Sequence, residues 1–167
     1  MNSTELQAEV LYSQLETELK SALVGVPKLA IVGIYSGGAW LAERLAKTLN
    51  VAETGFIDVS FYRDDYAKRG LKEEVRPSQI PFEIEGANIL LVDDVLYTGR
   101  TTRAAINTLF DYGRPAKIML AALVDRGGRE LPISADFVAK TLVLPSEQML
   151  VLQKADDGRL SLTIDHA

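Results

Sequence analysis

Ile89-Leu90-Leu91-Val92-Asp93-Asp94-Val95-Leu96-Tyr97-Thr98-Gly99-Arg100-Thr101 is the stretch on which the fold turns. An apolar run suited to a buried strand, Asn88 to Val92, ends in two adjacent carboxylates. A Thr-Gly-x-Thr turn then opens a helical pattern, Thr101 to Tyr112, with Ala104, Ala105 and Leu109 on one side. Gly99 lets the backbone curl so that successive N–H groups point inward, Thr98 and Thr101 add hydroxyls, and the helix adds its positive end. Together these make a site for a phosphate dianion. Asp93 and Asp94 would repel that phosphate if they faced it, so they suit sugar hydroxyls or a hydrated divalent cation such as Mg2+. The plainer alternative is that the two acids end a strand and the threonines cap a helix; the complete series behind one buried strand argues against it. The turn is neither a P-loop, having no Gly-Lys-Ser/Thr, nor a G-x-G-x-x-G dinucleotide loop.

Working outward, the same grammar repeats. Leu29 to Ile34 is an apolar strand followed by the turn Tyr35-Ser36-Gly37-Gly38 and a helix, Ala39 to Leu49. Lys117 to Val124 is another apolar strand, reached after Gly113 and Pro115 stop the preceding helix, and Asp125 to Arg129 follows it. Ahead of these, Leu6, Val10, Leu15, Leu19 and Leu23 predict an amphipathic helix from Thr4 to Leu23, with Thr4 and Gln7 as a capping box. Gly55 to Tyr62 predicts a strand, and Arg63 to Gln79, charged and poor in large apolar residues, a long loop of the kind that serves as a lid. Phe137 to Leu144, Gln148 to Leu152 and Leu160 to Ile164 are shorter strand candidates. Apolar strands alternating with helices predict an α/β fold with a mainly parallel sheet covered on both faces. Ligands bind at the carboxyl ends of such strands, so the three turns after Ile34, Val92 and Val124 share one rim.

Composition narrows the chemistry. The 167 residues, 47% hydrophobic and 25% charged, are enough for one core and argue against disorder; no repeat or second domain is visible. Without Cys there is no disulfide, thiolate nucleophile or thiolate metal site, which fits a reducing compartment such as the cytoplasm. No segment approaches the ~20 apolar residues that span a bilayer, and the start, MNSTELQAEV, is polar and acidic rather than a leader, so no membrane partner is expected. A net charge of −5 counts against general nucleic-acid binding. His166 alone cannot make a transition-metal site and is expected in a frayed tail. Trp40, Phe56, Phe61 and Phe137 read as packing residues. The Tyr97 ring stacks near a sugar or base, or simply occupies the turn.

Ile89 to Arg103 resembles the phosphoribosyl pyrophosphate (PRPP) signature of type I phosphoribosyltransferases. Ser60-Phe61-Tyr62-Arg63-Asp64-Asp65, Ile80-Pro81-Phe82, Tyr112-Gly113-Arg114-Pro115 and Leu123-Val124-Asp125-Arg126-Gly127-Gly128-Arg129-Glu130-Leu131-Pro132-Ile133 extend the likeness. From about Leu29 to Lys140 the chain resembles the bifunctional pyrimidine operon regulator and uracil phosphoribosyltransferase (PyrR-like) family. The resemblance implies a single type I phosphoribosyltransferase domain over 1–167: a central sheet flanked by helices, a flexible lid at about 63–80 and a small hood. It implies transfer of ribose 5-phosphate from PRPP to N1 of uracil, giving UMP and pyrophosphate with Mg2+, in a homodimer or higher homo-oligomer.

The resemblance also distributes roles. Tyr97, Thr98, Gly99, Arg100 and Thr101 would hold the 5-phosphate, and Tyr35, Ser36, Gly37 and Gly38 the pyrophosphate. Asp93 and Asp94 would hold the ribose hydroxyls and, partly through water, the metal. Val124, Asp125 and Arg126 would face the base, with Asp125 near a second metal and Arg129 near pyrophosphate in a catalytic role. The chain departs from the pattern at Tyr35, where the family usually has a basic residue, and at Gly37, often Arg, which shifts the expected pyrophosphate contacts to Arg129 and the lid. The family's UMP-dependent binding of a leader RNA rests on basic or His positions near Gly128, Ser134, Ser13 and Thr17. None of these is basic here, which counts against RNA as a partner. In its favour stand Arg114, Lys117, Arg126, Arg129 and Lys140, if they form one face. Purine rather than uracil as the base is a third reading.

Overall fold

A computed structural model of the chain describes residues 6–59 and 78–166. Its elements are α1 (Ala8–Ala22), β1 (Leu29–Ile34), α2 (Gly37–Thr48), β2 (Thr54–Ile57), β3 (Asn88–Leu96), α3 (Arg100–Tyr112), β4 (Lys117–Asp125), β5 (Phe137–Thr141), β6 (Gln148–Lys154) and β7 (Leu160–His166). Among the described residues β2, β1, β3, β4 and β5 form, in that order, one sheet whose every neighbouring pair is parallel. A separate antiparallel hairpin, β6 and β7, closes through the turn at 155–159, where Gly158 N–H donates to Ala155 O at 2.8 Å.

The sheet is buried on both faces, which is why its strands read as unbroken apolar runs. Ile31, Leu90, Val92, Met119 and Ala121 point to one side and pack with α1, α2 and the hairpin residues Leu150, Leu152 and Leu160. Val32, Ile34, Ile89, Leu91, Leu120 and Ala122 point to the other side and pack under Ala104, Ala105 and Leu109 of α3. Successive side chains of a strand alternate faces, so each strand feeds both cores. A polar brace ties the hairpin back: Glu9 of α1 accepts from both terminal nitrogens of Arg44 on α2, at 2.7 and 3.0 Å, and from the N–H of Leu160, while Arg44 also reaches Gly158 O.

Several element boundaries differ from the sequence reading. The first helix starts at Ala8; Gln7 is its N-cap without a side-chain cap bond, and Thr4 lies outside the described residues. Its buried stripe is Ala8, Leu11, Tyr12, Leu15 and Leu19, and Val10 is turned to solvent, because 3.6 residues per turn brings position 11 rather than 10 onto the face shared by 8 and 15. Helix α2 begins at Gly37, so the glycines are its first turn rather than a loop before it. Strand β3 does not stop at Val92. It runs through Asp93 and Asp94 to Leu96, because its ladder with β4 continues, Asp93 opposite Ala122 and Leu96 opposite Asp125, and backbone pairing is indifferent to an acidic side chain. His166 is the last residue of β7, opposite Gln148, and not a frayed tail.

Trp40, Phe56 and Phe137 pack against the core as expected; Phe61 lies outside the described residues. So does most of the expected lid. Of it, Gln79 is described and exchanges backbone hydrogen bonds of 2.8 Å with Phe56 beside β2.

Candidate active site

All three turns stand together at the carboxyl edge of the sheet. Parallel pairing sets Gly33 of β1 beside Val92, just before the acid pair, and Leu96 at the end of β3 beside Asp125 at the end of β4, so residues far apart in sequence become neighbours. The first contact is between the Tyr35–Gly38 turn and the acid pair. A Cβ built on Gly37 would stand 2.7 Å from Asp94 Cγ, and one on Gly38 would meet the carbonyl of Val92 and stand 3.0 Å from Asp93 Cα. In this chain the start of α2 lies this close to β3 because Gly37 and Gly38 carry no side chain. The peptide joining Tyr35 and Ser36 is cis. The Tyr35 ring packs beside Phe56 with centroids 5.6 Å apart, so its side chain belongs to the β2 flank of the turn.

The acids themselves are held by the strand. Asp93 is buried, and its Oδ1 accepts from the N–H of Asp94 at 2.8 Å; Asp94 Oδ1 accepts from the N–H of Val95 at 2.8 Å. Beyond them Gly99 takes φ +95°, in the left-handed region glycine favours, and caps α3. The buried Thr98 Oγ1 accepts from Arg100 N–H at 3.2 Å, and Thr102 Oγ1, buried in the first turn of α3, has no partner among the described residues. Arg100 points outward and pairs with Glu130 at 2.9 Å.

The Asp125–Ile133 segment grips this turn from the β4 side. Thr98 O accepts from the N–H groups of Glu130 and Leu131, and Ile133 lies against Gly99. The guanidinium of Arg129 makes bonds of 2.7 Å to Ile133 O, 2.7 Å to Tyr97 O and 2.6 Å to Asp125 Oδ2. Burial pushes the Asp125 carboxyl up, but the Arg129 side chain and the N–H of Gly127 outweigh it, and the group ends below the ordinary carboxylate value. Arg126 is 4% exposed; it lies 3.9 Å from the centroid of the Tyr97 ring.

Sequence reasoning brought Asp93, Asp94, Thr98–Thr101, Tyr35–Gly38 and Val124–Arg129 to one rim, and the geometry places them there. It missed that the Arg126 and Arg129 side chains turn inward onto backbone carbonyls of the protein. Among the described residues no three acidic or His side chains gather around one point, and Asp125, expected near a second metal, stands apart from the acid pair at the end of β4. Both its oxygens already accept bonds, from Arg129 and from Gly127 N–H. Two adjacent carboxylates without a protein cage still suit Mg2+, which keeps waters and substrate oxygens in its shell. The five basic residues proposed as one face are dispersed: Lys117 opens β4 and Arg126, buried, follows its far end.

Comparison with known proteins gives this site its class. Residues 15–146 match the phosphoribosyl transferase domain, and the chain belongs to that family. The hypoxanthine phosphoribosyltransferase of Trypanosoma cruzi shares the fold, with a TM-score of 0.65 over 94% of this chain and 93% of that one at 22% identity. That of Staphylococcus aureus gives 0.62 over 85% and 77% at 26% identity. Within the family the chain is one of the bifunctional PyrR proteins: it is 50% identical to that of Ralstonia nicotianae over 95% of this chain and 92% of the relative, and 49% identical to that of Nitrosococcus oceani over 94% and 92%.

Proposed function

We propose that this phosphoribosyltransferase acts on uracil, moving the 5-phosphoribosyl group of PRPP to its N1 and releasing UMP and pyrophosphate. The observation that carries the reading is the contact of the Gly37–Gly38 turn with the Asp93–Asp94 pair, whose own strand runs on into the Thr98–Thr101 turn, in a chain half identical to bifunctional PyrR proteins. In the transfer the sugar becomes cation-like while charge concentrates on the departing pyrophosphate, so preorganised electrostatics rather than a covalent nucleophile lowers the barrier. The Thr98–Thr101 backbone and hydroxyls anchor the 5-phosphate at the positive end of α3. Asp93 and Asp94 take the ribose hydroxyls. The start of α2, stripped of side chains at Gly37 and Gly38, lets backbone N–H groups approach pyrophosphate. Asp93 and Asp94 are the side chains that would hold Mg2+ brought with PRPP, in part through water, and the ion would supply positive charge to the leaving pyrophosphate. The backbone at Val124, Asp125 and Arg126 faces the base. The whole chain acts as one domain in the cytoplasm, residues 63–80 serving as the lid and the active form a homo-oligomer, as the family resemblance implies.

The experiment compares the native chain with Asp93→Ala/Asp94→Ala, following UMP from uracil, PRPP and Mg2+ while circular dichroism checks the fold. Lost turnover in a folded double variant supports the assignment; retained turnover refutes it. A second reading, a UMP-sensing regulator that binds leader RNA, is favoured by the word bifunctional in the relatives' name. Against it, the exposed positions Ser13, Thr17, Gly128 and Ser134 offer no positive charge. A gel shift with leader RNA of pyrimidine genes, with and without UMP at low salt, separates the readings.

A further inference from the structure

Arg126 is a buried cation, and among the described residues it has no acidic partner. Its Nη1 donates to Gln148 O at 2.7 Å, its Nη2 to Pro145 O at 3.0 Å and Leu144 O at 3.3 Å, and its Nε is buried without a partner among the described residues. Removing a guanidinium from water is costly, and its return here is a set of carbonyls and the face of the Tyr97 ring. That ring belongs to the residue directly before the phosphate-turn Thr98. The same short segment holds Tyr97 at two further points: Arg129 Nη1 donates to its carbonyl at 2.7 Å, and a Cβ on Gly128 would stand 2.5 Å from its Cε1. Tyr97 is therefore fixed at the ring face, the ring edge and the backbone by residues 126–129, while the N–H of Arg126 is tied to Leu96 O at 3.0 Å.

We propose that Arg126 is a positioning residue that welds the base-side segment to the phosphate turn, setting the separation between the base and 5-phosphate subsites without its side chain touching either ligand. The inference rests on the uracil phosphoribosyltransferase reading. A nucleotide bridges both subsites and feels their separation; a sugar phosphate occupies one and does not. The Lys side chain retains charge but not the planar fork, so it cannot serve the three carbonyls and the ring together.

Arg126→Met and Arg126→Lys are to be compared with the native chain by calorimetric binding of UMP and of ribose 5-phosphate, by KM for uracil and for PRPP, and by melting temperature. The expected result is UMP affinity weakened about tenfold and KM for uracil raised about as much in both variants, with ribose 5-phosphate affinity and KM for PRPP changed less than about twofold. Tyr97→Leu combined with Arg126→Met should lose little more UMP affinity than Arg126→Met alone, because the two side chains act as one unit. Equal weakening of UMP and ribose 5-phosphate, or a lowered melting temperature with every affinity unchanged, overturns the proposal while native UMP synthesis leaves the enzymatic reading standing. A native chain that neither makes nor binds UMP removes that reading and this inference with it.

Discussion

Asp94 fills the space that a side chain on Gly37 would need: a Cβ there would stand 2.7 Å from Asp94 Cγ and 2.9 Å from its Cβ, distances at which something must move. The clash reaches the root of the carboxylate, so rotating its tip does not relieve it. Gly37→Ala is expected to displace Asp94 and lower kcat/KM for PRPP by about ten- to a hundredfold, the scale set by ångström-level misplacement of a reacting group. The melting temperature should move far less. Steady-state kinetics beside a thermal melt checks this; unchanged kinetics would show that Asp94 needs no such seat.

Arg129 was expected at pyrophosphate, and its three short bonds make it first the keystone of its own loop. Arg129→Ala leaves the Asp125 carboxylate half-buried without its cation and two carbonyls without donors, a loss of about 2–3 kcal/mol and a melting temperature lower by about 5–10 °C. Because the Asp125 pKa is depressed in the folded chain, its contribution is fully present above the ordinary carboxylate range and is lost as pH falls through the folded value, below 3.8. In Arg129→Ala that acid-side loss should disappear. Denaturant unfolding of both chains between pH 3 and 7 measures it.

The hydroxyl of Thr102, in the first turn of α3, is buried and without a partner among the described residues. An unmet polar atom costs about 1–3 kcal/mol, so Thr102→Val, which keeps the shape, should stabilise the ligand-free chain, and a thermal melt reads the gain. A destabilised variant would mean that the hydroxyl is satisfied in solution.

Glu9 and Arg44 brace α1, α2 and the β6–β7 hairpin. The Arg44 hydrogen bonds, outweighing burial, hold the Glu9 pKa below its ordinary 4.5. Stability from this pair is thus present above that value and fades as pH drops through the depressed one. Both groups are partly exposed, so Glu9→Gln should cost only about 1 kcal/mol near neutrality, with the difference vanishing in acid and shrinking in high salt.

How much of this was legible in the sequence follows from which forces are local. The strands Leu29–Ile34 and Asn88–Val92 announce themselves because burial on both faces demands unbroken apolar runs, and Asp93 to Thr101 because phosphate chemistry needs those residue types in that order. The end of β3 was hidden, since Asp93 and Asp94 look like a strand's terminus until the partner β4 is seen to continue beside them. The inward turn of Arg126 and Arg129 was hidden for the same reason: an arginine's fate depends on carbonyls such as Gln148 and Tyr97, contributed by other segments. Val10 shows the limit of spacing alone, where one residue's difference moved a side chain from core to solvent.

The central claim, transfer of phosphoribose to uracil, is tested most directly by incubating the purified chain with PRPP, Mg2+ and each of uracil, cytosine, hypoxanthine and guanine, and following nucleotide and pyrophosphate formation with and without a chelator. The account predicts UMP and stoichiometric pyrophosphate with uracil alone, abolished by chelation. Nucleotide formed only from a purine, or none from any base, would contradict it.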